Sequence, residues 1–381
     1  MRILHLGKFY PPAPGGIENF LRDLARAQVR SGHEVHVLCH AHQGTKNLER
    51  ETVDKVIVTR VPVALSLAYA PLAPSYPLHL RKILTSFRPD IVHVHMPNVS
   101  PFWVLGWFRP TFGLVVHWHA DVIPSPNDLG LRLFRPVYSL PETMLLSRAG
   151  AVVATSSPYA DTSPVLGRFR EKVEIIPLGL DMSRFHVPDR PKAEDGPPLV
   201  LSIGRCTPYK GLDQLIRAWV SVPRGRLIIV GSGPLLDELR DLTLRLGLAD
   251  RIDLPGSLPE SDLHNLLDSC DLFCLPSVER TEAFGLVLLE AMRYGKPLIT
   301  TEVPGSGMSE VNIHGRTGLR VPPRDPEALA KAVNTLLDDP ARRSELGRRA
   351  TSRLAEKFDI VHVAERLDNL YRHILKTMNS R

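Results

Sequence analysis

Long hydrophobic runs are missing from this chain: no window reaches the ~18 uninterrupted apolar residues that a membrane-spanning helix needs, so none is predicted. A signal peptide is missing too, because Met1-Arg2-Ile3-Leu4-His5-Leu6 runs straight into a strand pattern, and the expected location is the cytosol. Cysteine is scarce. Cys39, Cys206, Cys270 and Cys274 follow no Cys-x-x-Cys spacing, and two of them fall at apolar strand ends, which reads as reduced thiols. There is no Lys/Arg run and no interleaved aromatic platform, which excludes a nucleic-acid partner. Internal repeats and low-complexity segments are absent as well.

What is present is the composition of an ordinary globular protein, 43% apolar and 23% charged, over 381 residues. That length suffices for two domains, each with its own core. The +6 charge is uneven: residues 1–185 hold 20 Lys/Arg against 14 Asp/Glu, and residues 186–381 hold 27 of each. Such an excess suits an anionic membrane surface or a phosphate-bearing acceptor, and equally well simple solubility. Phe102, Trp103, Trp107 and Phe108 crowd one segment, and Leu131-Arg-Leu-Phe-Arg-Pro-Val-Tyr138 mixes basic and aromatic residues. These patches fit a membrane interface or a lipid-linked acceptor, although aromatics at helical spacing more often pack into a core.

Strand and helix periods alternate through both halves. A buried strand at 2–6, a Pro-rich loop ending in Gly15-Gly16, a helix at 17–29 and a strand at 34–39 make a first βαβ unit. Residues 63–80, broken by three prolines, read as a loop with a short helix. Strands ending at His95 and His119 follow, and by the period of two His93 and His95 share a face, as do His117 and His119. His117-x-His119-x-Asp121 begins like the zinc motif of metallo-β-lactamase-like hydrolases, but Val122 stands where that motif needs its next histidine, so zinc is not expected. After an aperiodic linker at 186–198 the α/β pattern restarts. The turns at Gly231 and at Gly256-Ser-Leu258 follow strands at the carboxyl edge of a parallel sheet, where open α/β sheets bind ligands.

The chain is organised around residues 276–297. A short apolar strand breaks at Pro276 and a helix pattern runs from near Phe284 to Gly295, so Glu282 precedes the helix and Glu290 lies inside it. Free amides around Phe284, Gly285 and Leu286, with the positive end of the helix dipole behind them, form a site for a diphosphate. Eight residues of helical rise is roughly 12 Å, which lets one carboxylate meet sugar hydroxyls and the other the ribose of a nucleotide-sugar. Taken alone, the two acids read as a dipole partner and a solvated helix residue.

Ser277, Glu282-Ala-Phe-Gly-Leu-Val-Leu-Leu-Glu290 and the trailing Gly295-Lys-Pro297 resemble the signature of the retaining glycosyltransferases of family 4 (GT4), which have the GT-B fold. Gly15-Gly16-x-Glu18 is similar to that family's loop over the donor phosphates and sugar. Gly204-Arg205 and Lys210-Gly211 resemble its diphosphate motif, a planar fork and a point charge near a helix start. His119 resembles the family's active-site histidine near the donor sugar, and Asp121 would orient its imidazole.

The resemblance implies two Rossmann-like α/β domains facing a central cleft. The first, acceptor-binding, would span 1–185 and the second, donor-binding, 199–360, with a C-terminal helix at about 361–381 crossing back onto the first. Implied catalytic residues are His119, Glu282, Arg205 and Lys210. Implied donor-binding residues are Gly15, Gly16, Gly231, Gly256, Leu258, Ala283, Phe284, Gly285, Leu286 and Glu290. With no Asp-x-Asp in strand context, neither metal nor cofactor is expected. The expected reaction moves a hexose from a nucleotide-sugar, first GDP-mannose or a related GDP-sugar, to a saccharide or lipid-linked saccharide in surface-polysaccharide or lipopolysaccharide assembly. Peripheral contact with the inner face of the cytoplasmic membrane goes with a lipid-linked acceptor. The alternatives are a nucleotide-sugar epimerase or hydrolase on the same fold, or a non-catalytic nucleotide-sugar-binding protein.

Overall fold

The protein was analysed as a computed structural model, which describes residues 1–42, 45, 47–67, 70–106, 111–123, 129–187 and 196–379. The chain divides into two units, Met1–Gly179 with Ile360–Arg381, and Leu180–Asp359. Most of the segment read as a linker lies outside the described residues, as do Trp107 and Phe108.

Among the described residues ten strands belong to the first unit: β1 (Arg2–Leu6), β2 (Glu34–His40), β3 (Glu49–Val53), β4 (Val56–Val61), β5 (Leu65–Leu67), β6 (Ala70–Leu72), β7 (Ile91–Met96), β8 (Gly113–Trp118), β9 (Ala151–Ala154) and β10 (Val173–Ile175). Eight of them form one sheet in the order β10-β9-β8-β7-β1-β2-β4-β3. Every pairing is parallel except β3 with β4. That hairpin turns on Asp54 and Lys55, both at positive φ, which matches the strand twist. Exposed Glu49, Arg50 and Glu51 blunt the sheet's edge. Residues 63–80, expected as a loop with a short helix, hold the β5–β6 hairpin and the start of a helix at Tyr76–Ser86.

A parallel sheet covered on both faces calls for continuous apolar strands. β7 and β8 are fully buried, yet three histidines interrupt them. The helix Gly16–Arg30 covers that face with Phe20, Leu21, Leu24 and Ala25, spaced for one apolar stripe. The last helix, Ile360–Asn379, lies beside it and buries Val363, Leu367, Tyr371 and Ile374. Each such large side chain contributes about 1.5–3 kcal/mol by leaving water. Polar bonds fix the register of the two helices: His33 Nε2 meets Asp368 Oδ2 at 2.6 Å, and Gln28 Nε2 donates to the Tyr371 hydroxyl at 3.3 Å.

The second unit holds β11 (Leu199–Ile203), β12 (Arg226–Val230), β13 (Ile252–Gly256), β14 (Leu272–Leu275), β15 (Leu298–Thr301) and β16 (Gly318–Val321). They form an all-parallel sheet in the order β13-β12-β11-β14-β15-β16. This is the doubly wound order in which the first and fourth strands are neighbours and their following loops part to opposite faces. The crevice at that switch point is where such sheets take ligands. The four cysteines are buried free thiols.

Candidate active site

In the second unit the loops after β11 and β14 meet at the switch point. Gly211 makes this possible. It sits at φ 61°, and a Cβ there would come within 2.3 Å of the Pro276 carbonyl oxygen, so a larger residue would force the loops apart. The Val278 amide donates to the Tyr209 carbonyl at 2.8 Å and stitches the loops together. Across this seam the Lys210 Nζ donates to Glu282 Oε2 at 2.5 Å, and both side chains are only 11% exposed. Burial works against the ammonium, but the Glu282 carboxylate overrides it and holds the Lys210 pKa above its ordinary value.

The Ser277 hydroxyl also donates to Glu282 Oε2, at 3.2 Å, which leaves Oε1 without a partner among the described residues. The backbone of the loop is clamped as well. Ser306 Oγ donates to the Glu282 carbonyl at 2.5 Å, and the Gly307 amide to the Ala283 carbonyl at 2.8 Å. A helix then begins at Leu286 and ends at Arg293, two residues inside the predicted limits at each end. Its N-cap is Gly285 at φ 81°, with no side chain capping the first amides. That φ is one that residues with a Cβ rarely adopt, which is why glycine brings the backbone round here.

Arg205 is exposed beside Lys210, its side chain bonds to none of the described residues, and its charge pushes against the Lys210 ammonium. Two cations and an uncapped helix start on one crevice are chemically suited to a diphosphate. Gly231 and Gly256 lie at the carboxyl ends of β12 and β13, bonded amide to carbonyl at 2.9 Å, and Leu258 is half-buried next to them. Ala283 and Phe284 are buried. The Phe284 ring stacks edge-on against Phe358 at 5.9 Å and packs as core. Glu290 is half-buried in the helix and already engaged in an interaction.

In the first unit, Gly15 caps the helix Gly16–Arg30 without a side-chain bond. His119 follows β8 and is 4% exposed. Its Nε2 meets His95 Nδ1 at 3.0 Å, and its Nδ1 has no partner among the described residues. Asp121 does not hold the imidazole through that nitrogen. Its Oδ1 accepts from the Trp118 indole at 2.9 Å and from Ser163 Oγ at 2.7 Å, so it braces the backbone after β8.

The ring partners of His119 are other histidines. His117 stacks on it with centroids 4.3 Å apart and planes 2° from parallel. His95 passes the chain on to His5, whose Nδ1 lies 3.0 Å from His95 Nε2. Phe20 packs edge-on against His95, His117 and His119. Burial drives the His119 pKa down to about 3 and that of His5 to about 4, and holds His93, His95 and His117 well below the usual range. These rings are neutral at physiological pH. His5 and Gln28 carried no signal in sequence, because strand register places the one and the packing of the helix Gly16–Arg30 the other.

Of the aromatic patches, Phe102 packs edge-on against buried Tyr138 at 5.2 Å, as core aromatics do. The helix Leu129–Arg148 behaves differently. Leu133, Val137, Leu140 and Met144 are 71, 70, 67 and 41% exposed, at a spacing that makes a single stripe. Trp103 is exposed too.

Two doubly wound α/β domains in one chain, the second with its cationic crevice at the switch point, have the GT-B fold. The whole chain superposes on sucrose-phosphate synthase from Thermosynechococcus elongatus with a TM-score of 0.81, covering 99% of each at 22% identity. In sequence it is 33% identical to the D-rhamnosyltransferase WbpZ of Pseudomonas aeruginosa, over 94% of this chain and 92% of that one. It is 29% identical to the O-antigen chain mannosyltransferase C of Escherichia coli, over 99% and 100%. Residues 14–184 match the family described as Glycosyltransferase Family 4, and 184–353 that described as Glycosyl transferases group 1. The chain belongs to glycosyltransferase family 4.

Proposed function

We propose that this enzyme transfers a hexose, with retention, from a nucleotide-sugar to a saccharide or lipid-linked saccharide acceptor in the assembly of a surface polysaccharide. The observation that carries the reading is the buried Lys210–Glu282 pair on the switch point, with Arg205 alongside and the bare helix start at Gly285. Lys210, Arg205 and the amides near Gly285 and Leu286 offset the charge that grows on the diphosphate as its bond to the sugar C1 breaks. Glu282 Oε1 accepts from a sugar hydroxyl, and Glu290 from the ribose. His119 offers Nδ1 to a hydroxyl of the same sugar. The acceptor oxygen bonds to C1 on the face the diphosphate leaves, and its proton passes to the departing phosphate oxygen. No metal takes part in this scheme. GDP-mannose or a related GDP-sugar is the first donor proposed, by likeness to the mannosyl- and rhamnosyltransferases above.

Product analysis with a panel of GDP- and UDP-sugars tests the scheme, with and without a mannose- or rhamnose-terminated acceptor. Transfer with the donor's anomeric configuration kept, and undiminished in excess EDTA, is the expected result. Free sugar or a rearranged donor formed equally well without acceptor would overturn it in favour of a hydrolase or epimerase. Inhibition by EDTA that Mg or Zn reverses would remove the metal-free step.

Glu290→Ala is expected to weaken binding of the nucleoside diphosphate by about 1–3 kcal/mol, the worth of a hydrogen bond to a charged group. Calorimetry with GDP and UDP reads this directly, and unchanged affinity would take Glu290 out of the site.

No helix of the described residues is long and apolar enough to cross a membrane. The stripe of Leu133, Val137, Leu140 and Met144 is proposed to lie on an anionic bilayer, given the excess of positive charge on residues 1–185. Co-sedimentation with phosphatidylglycerol vesicles is expected for the wild type and lost in Leu133→Glu/Val137→Glu. Equal partition of both proteins would assign the stripe elsewhere.

A further inference from the structure

Three buried histidines of the first unit, His5, His95 and His119, are wired in series, and the direction of the wiring can be worked out. Gln28 Oε1 lies 2.7 Å from His5 Nε2, and an amide oxygen only accepts, so His5 carries its proton on Nε2. A neutral His5 then presents a bare Nδ1, so the bond to His95 Nε2 needs its proton from His95. The same reasoning leaves His95 Nδ1 bare, so His119 donates from Nε2 and has its lone pair on Nδ1. Reversing the Gln28 amide would reverse every bond and put a proton on His119 Nδ1.

The other end of the amide decides between these arrangements. Gln28 Nε2 lies 3.3 Å from the Tyr371 hydroxyl, which is 2.5 Å from His93 Nδ1. The amide nitrogen donates to that oxygen, which leaves the phenol's own proton for His93 Nδ1. The phenol therefore gives its proton to His93 and accepts from Gln28, which turns Oε1 toward His5.

We infer that Gln28, oriented by Tyr371 and acting through His5 and His95, locks His119 in the tautomer whose Nδ1 is a hydrogen-bond acceptor for a hydroxyl of the donor. Gln28, His5, His95 and Tyr371 are positioning residues. The inference rests on the proposed contact between His119 and the donor sugar. It gives a reason for histidines in strands that should be apolar: a proton fixed on one nitrogen discriminates a hydroxyl that donates from one that accepts.

A transition metal is the rival occupant of this cluster, since one ligand atom each from His95, His117 and His119 lie within 4.8 Å of one another. Their rings, however, are parallel to within 2° to 16°. A ligating lone pair lies in its ring plane: His95 Nδ1 and His119 Nε2 aim at each other along their 3.0 Å bond, and His117 lies stacked on His119, so the three do not converge on one ion unless the rings turn.

Proton–nitrogen correlation spectra of the ¹⁵N-histidine-labelled, EDTA-treated protein at pH 7.5 test the wiring, with His119 assigned through His119→Gln. The wild type is expected to show His119 protonated on Nε2 alone. Gln28→Met keeps the side-chain shape without the amide, and Tyr371→Phe frees the amide to turn. Both are expected to give mixed tautomers and a kcat lowered about tenfold, with the donor KM little changed. A proton on Nδ1 in the wild type, an imidazolium, a tautomer untouched by both variants, or His119 signals that move on adding Zn²⁺ would each overturn the inference. If the tautomer pattern holds while His119→Ala transfers sugar normally, the wiring stands and the donor contact falls.

Discussion

Lys210→Met is expected to cut turnover by about a hundredfold or more, the scale seen when a preorganised donor to developing charge is removed, with the donor KM rising only a few fold. The diphosphate carries more charge in the transition state than in the bound donor, so a cation aimed at it acts mainly on kcat. The variant should also unfold more easily. With both side chains 11% exposed, removing Lys210 leaves the Glu282 carboxylate enclosed without its counter-charge, and breaking such a pair costs about 3–5 kcal/mol. Arg205→Ala separates the two effects, because exposed Arg205 has no ion pair to lose among the described residues. It should lower kcat and leave the melting temperature in place. Steady-state kinetics and thermal melts on both variants check this. A loss confined to KM would mean that the cations only hold the ground state.

Lowering the pH from 7 to 5 is expected to unfold the first unit while the second keeps its structure. Seven of its histidines, His5, His36, His40, His93, His95, His117 and His119, are buried with depressed pKa values, four of them to about 3 or 4. Burial is the leading cause in each. The unfolded chain protonates near 6.5 and the folded one only well below it. The unfolded state thus binds more protons in that window, and stability present above 6.5 is lost as the pH falls toward the folded values. Each such group costs about 1.4 kcal/mol per pH unit, so a few of them exhaust the roughly 5–15 kcal/mol that holds a domain together. Hydrogen exchange compared between β7 or β8 and β11 or β14 at the same pH cancels the intrinsic rate change. Protection lost in the first pair alone near pH 5 is the expected pattern, and protection kept in both down to pH 4 would contradict it. His117, with neither ring nitrogen bonded, is the one to replace, and His117→Phe should shift the transition to lower pH.

The crevice of the second unit was legible in the sequence because its parts are local. A strand, a glycine turn and a helix start occupy about ten consecutive residues, and the period change from two to 3.6 marks them wherever they occur. Arg205, Lys210, Glu282 and Gly285 could therefore be placed in those loops and Glu290 in the helix, although it was the resemblance to family 4 that singled them out. Their pairing could not. Lys210 reaches Glu282 across 72 residues only because β14 lies beside β11, and nothing in the period of a parallel strand says which strand will be its neighbour.

The histidine chain shows the same limit more sharply. That His93 and His95 share a face follows from the pleat, as it does for His117 and His119. That β1 sets His5 opposite His93, and β8 sets His117 opposite His95, is a matter of register. Asp121, three residues past the indole that it accepts from, looked in sequence like the natural partner of His119. The fold gave that partnership to His95, because the sheet brings one imidazole edge to the next while the loop carries the carboxylate toward Trp118 and Ser163. The amide and the phenol that set the direction of the chain stand 343 residues apart. Only the packing of the last helix against the first brings them together, so local periodicity determined the elements and their chemistry, and long-range packing decided which groups meet.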